Sequence, residues 1–423
     1  MKTIIKGTIC YSKTPQLLSI TESGYLICEN GFSTGVYEKL PEKYLNHPVT
    51  DYDGCLIIPG LCDLHVHAPQ YAFRGLGLDM ELLGWLQTYA YPEEAKYSDM
   101  AYVDKAYTLF ADAMLHGATT RACVYATVHK QATLRLMEKL EQAGIVSMVG
   151  MVAMDRNCPE VLRYDSTESA YNEMEAWIKA ATEMFHNTTP IITPRFIPSC
   201  TDEMMNELAK LQKEYSLPVQ SHLSENKAEI DWVKELCPTS ETYSHAYEQF
   251  GLFGGDGVQT VMAHCVWLSD TEQDLIKQNN VYVAHCPQSN TNLASGIAPI
   301  RKYMQKGLNI GLGSDVAGGS QLSIFRAMSD AIQVSKLNHC LVSEDSAPLT
   351  INEVFYLATL GGGSFFGKVG SFEPGFEFDA VIVKDDDNFS AYPLSTEERI
   401  SRLIHCPEEN HIVAKYAKGK KLL

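Results

Sequence analysis

The rhythm of apolar and polar positions changes three times along the chain. Residues 1–55 alternate over short stretches and break often. Tyr25-Leu26-Ile27-Cys28 runs into Glu29-Asn30-Gly31, and Pro48 and the Asp51-Tyr52-Asp53-Gly54 stretch interrupt again. This pattern predicts short β-elements joined by turns. An apolar run, Leu56-Ile57-Ile58, follows, then a Pro59-Gly60 break, then Leu61-Cys62-Asp63-Leu64-His65-Val66-His67. The stretch 69–98 after it is long, helical in part and rich in aromatics, as an insertion over a site would be.

From residue 100 helix-spaced and strand-like segments alternate. Helices are predicted near 100–116, 131–143, 167–185, 201–215, 225–236, 271–278 and 300–306. Strands are predicted at 118–125, 145–154, 191–198, 218–223, 259–267, 281–286 and 309–313. Thr201 reads as an N-cap, with Asp202 and Glu203 in the first turn. With the strand ending at His67 this makes eight strands with helical connections, an α/β chain folded as a TIM-type (β/α)8 barrel. After residue 350 come a helix at 351–360, a Pro374-Gly375 break, a strand at 378–383 and a strand-like tail at 412–423. The expected division is a barrel over 59–373 and a small β-sandwich domain built from both termini, residues 1–58 and 374–423. A length of 423 residues suits one barrel of roughly 250 residues plus a smaller domain.

Active sites of such barrels lie at the carboxyl ends of the strands. His65 and His67 fall on one face of the first strand, because side chains alternate with a period of two. Strand four carries Thr193-Pro194-Arg195-Phe196, strand five ends in His222, strand six in His264, strand seven in His285 and strand eight in Asp315. Any one of these histidines alone would read as a satisfied core residue. Five at independently predicted strand ends read as a site. Three imidazoles and a carboxylate suit one divalent ion, zinc or iron: His65, His67, His222 and Asp315. Glu225, three residues beyond His222, is placed to move a proton; its plain alternative is a solvated carboxylate opening a helix. His264 would reach the reacting water. His285 is equally consistent with supporting the ligands or with a plain buried role. Gly361-Gly362-Gly363-Ser364 lacks the lysine of a phosphate loop and reads as a bend between packed elements.

Charge and cysteines narrow the class. A formal net charge of -18 argues against nucleic acid or an anionic membrane as partner. The first residues lack the apolar run of a signal peptide, and no stretch is long and apolar enough to span a membrane. The 12 cysteines are scattered, without a Cys-x-x-Cys pair, as in a reduced cytoplasmic protein.

Taken together, Pro-Gly-Leu-x-Asp-x-His-x-His at 59–67, His222, His264 and Asp315 resemble the one-metal branch of the amidohydrolase superfamily. Two-metal members usually carry a modified lysine on strand four. No lysine stands at 191–198, so a single ion is expected. Within the superfamily the chain resembles the guanine deaminases. The matching stretches are His67-Ala68-Pro69-Gln70, Thr193-Pro194-Arg195-Phe196, Gln220-Ser221-His222-Leu223-Ser224-Glu225-Asn226, Met262-Ala263-His264, Ala284-His285-Cys286-Pro287-Gln288-Ser289-Asn290 and 311–319. Ser314 stands where threonine is usual, and Pro69 where serine is commoner.

The resemblance implies that Gln70, Arg195 and Phe196 bind the purine, with His67, Ala68, Pro69 and His222 completing the substrate-binding set. It implies catalysis by Glu225, His264 and Asp315, guanine as the small-molecule partner and a homodimer. Water activated with help from Asp315 and His264 would attack C2, and Glu225 would protonate the ring nitrogen and then the leaving amine. Another one-metal deaminase or a halide-removing hydrolase of the superfamily is the nearest alternative, separated by Gln70, Arg195 and Phe196. A non-catalytic scaffold of this fold would have lost ligands, and none is lost here.

Overall fold

The structure, a computed structural model, describes residues 2–385, 390–407 and 410–423. Both ends of the chain feed one mixed sheet. Its first four strands are β1 (Lys2–Thr14), β2 (Leu17–Glu29), β3 (Phe32–Tyr37) and β4 (Thr50–Pro59). The barrel follows with β5 (Leu61–His67), β6 (Thr119–Tyr125), β7 (Val146–Gly150), β8 (Val152–Ala153), β9 (Thr188–Pro190), β10 (Thr193–Pro194), β11 (Val219–Leu223), β12 (Thr260–His264), β13 (Tyr282–His285) and β14 (Asn309–Leu312). The chain closes with β15 (Ala380–Asp385), β16 (Asn410–Ala417) and β17 (Lys420–Lys421).

The terminal strands lie in the order β17-β16-β15-β4-β1-β2-β3. The strands expected as a sandwich thus hydrogen-bond as one seven-stranded sheet. The reason is β4, which pairs parallel to β1 on one edge and antiparallel to β15 on the other, Ile58 opposite Val381. The apolar run 56–58 therefore belongs to this sheet, and only 61–67 to the barrel. Gly60 makes the crossing, where a Cβ would stand 2.1 Å from Thr120 Oγ1. Leu56 and Ile58 face the large core, while Cys55 and Ile57 face a smaller one with Tyr11, Phe372, Phe378 and Tyr416.

In the barrel β5-β6-β7-β9 and β11-β12-β13-β14 form two parallel four-stranded sheets. A bridge between Ile192 and Val219 joins them at one seam. At the other, Asp315 N donates to the His65 carbonyl (2.9 Å) and His67 N to the Val316 carbonyl (3.2 Å). The fourth strand is shorter than the expected 191–198 and displaced from it: regular pairing covers Thr188–Pro190 (β9), before that range, and Thr193–Pro194 (β10) within it, and Ile197–Ser199 is a short helical turn. Thr201 caps its helix as expected, its Oγ1 accepting from Met204 N at 3.2 Å. The glycine bend is a close approach, with Gly362 against the Cα of Gly311.

The insertion 69–98 is a run of short helical turns, Ala68–Phe73, Leu82–Trp85, Leu86–Ala90, Tyr91–Glu94 and Ala95–Ser98. Leu82, Trp85, Leu86, Tyr91 and Tyr97 are buried, so the segment is packed down as a roof.

Candidate active site

The closed seam between the first and eighth strands brings Asp315 against both histidines of β5. Its Oδ1 lies 3.1 Å from His65 Nε2 and 3.5 Å from His67 Nε2. His67 Nε2 is 3.2 Å from His65 Nε2 and 3.2 Å from His222 Nε2. A tetrahedral ion with bonds of about 2.0–2.1 Å holds its donor atoms roughly 3.3 Å apart, and these four separations are of that size. The chemistry of the donors fits as well. Burial depresses the pKa of His65, and that of His67 and His222 well below the ordinary imidazole value. Asp315 is lowered to about 2; burial opposes this, and the contacts with His65 and His264 outweigh it. Neutral imidazoles beside an ionised carboxylate are ready ligands for a divalent metal.

Supports outside the cluster aim these groups. His222 Nδ1 donates to the Arg195 carbonyl at 2.5 Å, which leaves its Nε2 lone pair facing the cluster. Asp63 accepts from His65 N (3.2 Å), Ser314 N (3.0 Å) and Ser314 Oγ (2.5 Å), tying β5 to the loop that carries Asp315. Ser224, His264 and Asp315 have left-handed backbones, with φ of 49°, 72° and 45°. Each costs of order 1 kcal/mol in a residue with a Cβ, and all three sit where strands turn into the site.

Glu225 is buried and stands outside the helix that its plain alternative had it opening. Asn226 caps that helix, Lys227–Leu236, and Glu229 completes the capping box. Glu225 Oε1 accepts from Ser295 Oγ at 3.0 Å, and its Oε2 lies 3.4 Å from His264 Nε2. Burial pushes its carboxyl up to about 7, into the range where it can both take and give a proton. His264 Nδ1 meets the Asn290 side-chain oxygen at 2.9 Å. Its pKa is raised: burial opposes the charge, and Glu225 and Asp315 outweigh it.

One cavity collects most of the predicted residues. Its lining includes His67, Gln70, Arg195, Phe196, His222, Glu225, His264 and Asp315, under Leu82, Trp85 and Leu86 from the roof. His65 lies beneath this surface beside Asp315. Ala68 and Pro69 are buried in the turn after β5 and do not line the cavity; the Pro69 carbonyl accepts from Tyr97 Oη at 2.9 Å. His285 is buried with neither ring nitrogen hydrogen-bonded, and burial lowers it to about 3. Four residues with clear parts in this geometry were given no role from the sequence: Glu94, Glu229, Asn290, which lies in one of the matching stretches, and Ser295. Only Glu229 left a local signal, the Asn-x-x-Glu spacing of a capping box.

Comparison with known proteins agrees with this arrangement. Residues 56–418 match the amidohydrolase family model. The guanine deaminase of Dictyostelium discoideum is 38% identical over 381 residues, covering 88% of this chain and 84% of that protein. The human guanine deaminase is 33% identical over 99% of this chain and 96% of its own length. A crystal structure of guanine deaminase from C. acetobutylicum, with guanine bound in its active site, matches at a TM-score of 0.97 and 42% identity over 100% of both chains. The barrel with its strand-end histidines and aspartate thus has the fold of a known hydrolase lineage, and the chain belongs to the amidohydrolase family. Both of these curated relatives are named guanine deaminases.

Proposed function

We propose that the protein hydrolyses guanine to xanthine and ammonia. The observation that carries this reading is one cavity in which Gln70, Arg195 and Phe196 stand beside Glu225, His264 and the four-donor cluster. His65, His67, His222 and Asp315 would hold one divalent metal, zinc in our reading, although iron takes the same donors. When bound, such an ion supplies the Lewis acidity that brings the pKa of water towards about 7.

The chain's own groups do the rest. Arg195 offers N–H donors to the purine O6. Gln70 Oε1 accepts from Ala317 N at 3.2 Å and its Nε2 donates to Glu94 at 2.9 Å, which leaves one N–H and one lone pair for ring nitrogens. Phe196, backed edge-on by Trp232 at 6.1 Å, gives the purine a flat apolar face. Asp315 and His264 orient the attacking water and draw off its proton as oxygen adds to C2. Glu225 gives a proton to the adjacent ring nitrogen, recovers one from the added oxygen and passes it to the departing amine. His67 and His222 border both substrate and ligand cluster, and Ala68 and Pro69 shape the turn that presents Gln70.

The same reading covers the whole molecule. We divide it into a barrel over 59–373 and a small β domain from 1–58 and 374–423, its strands joined in one seven-stranded sheet; the separate apolar cluster that includes Tyr11, Phe378 and Tyr416 supports that domain. A cytoplasmic homodimer completes the reading. Among the described residues no helix is long and apolar enough to cross a membrane. The test is ammonia release by purified protein from guanine, adenine and cytosine. Guanine is expected to be the substrate, and faster release from either of the others overturns the proposal.

A further inference from the structure

Glu94 belongs to the roof and touches none of the cluster, yet both its carboxylate oxygens are spent on the purine-facing residues. Oε1 accepts from Gln70 Nε2 at 2.9 Å, and Oε2 accepts from Arg195 Nη1 at 2.6 Å. All three side chains are buried. Gln70 and Arg195 come from opposite parts of the barrel mouth, and Glu94 is the group that meets both. With Ala317 N fixed on Gln70 Oε1, the carboxylate settles which end of that amide points where. On the other side, the Arg195 guanidinium lies 5.0 Å above the Tyr91 ring, three residues before Glu94 in the same short helix. The roof therefore grips Arg195 through a ring and a carboxylate, while the Arg195 carbonyl orients His222.

We infer that Glu94 is a specificity-determining, positioning residue: it sets the donor pattern of Gln70 and Arg195 and cancels the charge of Arg195, so the pocket favours a neutral purine over an anionic one. The inference rests on the guanine reading of this site. Guanine is neutral near neutral pH, whereas xanthine is a weak acid that loses a proton there. A guanidinium whose charge is already paired supplies hydrogen bonds to a carbonyl without offering a free cation to the ionised product. Substrate entry and product departure are both helped by that arrangement.

The test uses the full-length, metal-loaded enzyme and the nearly isosteric change Glu94→Gln. KM for guanine is expected to rise by at least about tenfold with kcat within about threefold, because the interaction is made in the bound complex before the chemistry. Xanthine, assayed as an inhibitor at pH 8, is expected to bind severalfold more tightly, and bound metal per chain to stay at the native value. A role in folding alone would lower kcat and metal content together and leave xanthine inhibition unmoved. If Glu94→Gln does not accumulate as folded protein, Glu94→Asp keeps the charge and shortens the reach; KM should then rise while xanthine inhibition stays native. Changes of less than about twofold in KM for whichever variant folds overturn the inference. Failure of the native enzyme to release ammonia from guanine overturns the substrate reading instead.

Discussion

The Nε2 atoms of His67 and His222, carried by the first and fifth barrel strands, stand 3.2 Å apart. Burial favours the neutral form of both rings, and Nδ1 of His222 already donates to a carbonyl. Its Nε2 is thus an acceptor aimed at the shared point, as a metal ligand must be. One ion per chain is expected by elemental analysis, and two tightly bound ions would refute the four-donor site. His222→Ala should abolish stoichiometric metal, since three donors must then hold what four did. Chelation of the native protein should also lower its stability, by ~2.7 kcal/mol relative to protein with free metal at a hundredfold excess over Kd.

Glu225 has a buried carboxyl near neutral pKa and a serine hydroxyl on one oxygen. Glu225→Gln preserves shape and can still accept from Ser295, but it cannot carry a proton. Metal content and the unfolding midpoint should stay native while kcat falls by more than about 10²-fold. A near-native rate would move proton transfer to another group.

How much of this could be read from the chain depends on the range of each signal. The His-x-His pair and the histidines ending later strands were legible because β-periodicity and barrel order are local and repeated. Glu94 was not. It sits in Pro92-Glu93-Glu94, an ordinary first-turn acidic pair, and its partners lie 24 and 101 residues away. The fourth strand's bounds were hidden for a different reason: its first pairing falls on Thr188–Pro190, which precedes the apolar pair Ile191-Ile192, and little of 191–198 beyond Thr193–Pro194 is in a ladder. The terminal strands were visible as strands, but the partners of β4 are set by the barrel to which it is tethered, not by its own residues.

Lys415 allows a test of the junction between sheet and barrel. Its buried Nζ donates to the carbonyls of Met114 (2.7 Å), Gly117 (2.9 Å) and Leu115 (3.4 Å), at the end of the helix Met100–His116. Burial lowers its pKa to about 7, Asp379 acting the other way, against an ordinary value of 10.5. Below pH 7 both folded and unfolded states hold the proton, and the cost of burying the charge is fully felt. Between pH 7 and 10.5 the unfolded state binds more protons, so this group makes stability rise with pH, by at most about 1.4 kcal/mol per unit. Lys415→Met removes that slope and strands the carbonyls, at about 1–3 kcal/mol. Urea unfolding of both proteins from pH 7 to 10 should give a native-minus-variant difference that climbs with pH; a flat difference contradicts the assignment.

Substrate choice puts the sharpest demand on Arg195. Its guanidinium is buried against Tyr91 and Glu94, so its orientation is set before any ligand arrives. A buried donor pattern built for a carbonyl rejects a ligand without one, because its own N–H groups are left unpaired. Adenine fits the slot against Phe196 but turns an amino group towards Arg195, donor facing donor. Its kcat/KM should lie roughly 10⁴-fold below that of guanine. Removing the cation outright would leave Glu94 buried and unpaired, at about 3–5 kcal/mol, and confuse binding with folding. Arg195→Lys is the cleaner change: it keeps a positive charge for Glu94 but loses the planar fork. Guanine kcat/KM is expected to fall by at least about 10²-fold with metal content native, and adenine to remain a poor substrate. Native protein that deaminated adenine as efficiently as guanine would show that Arg195 does not read O6.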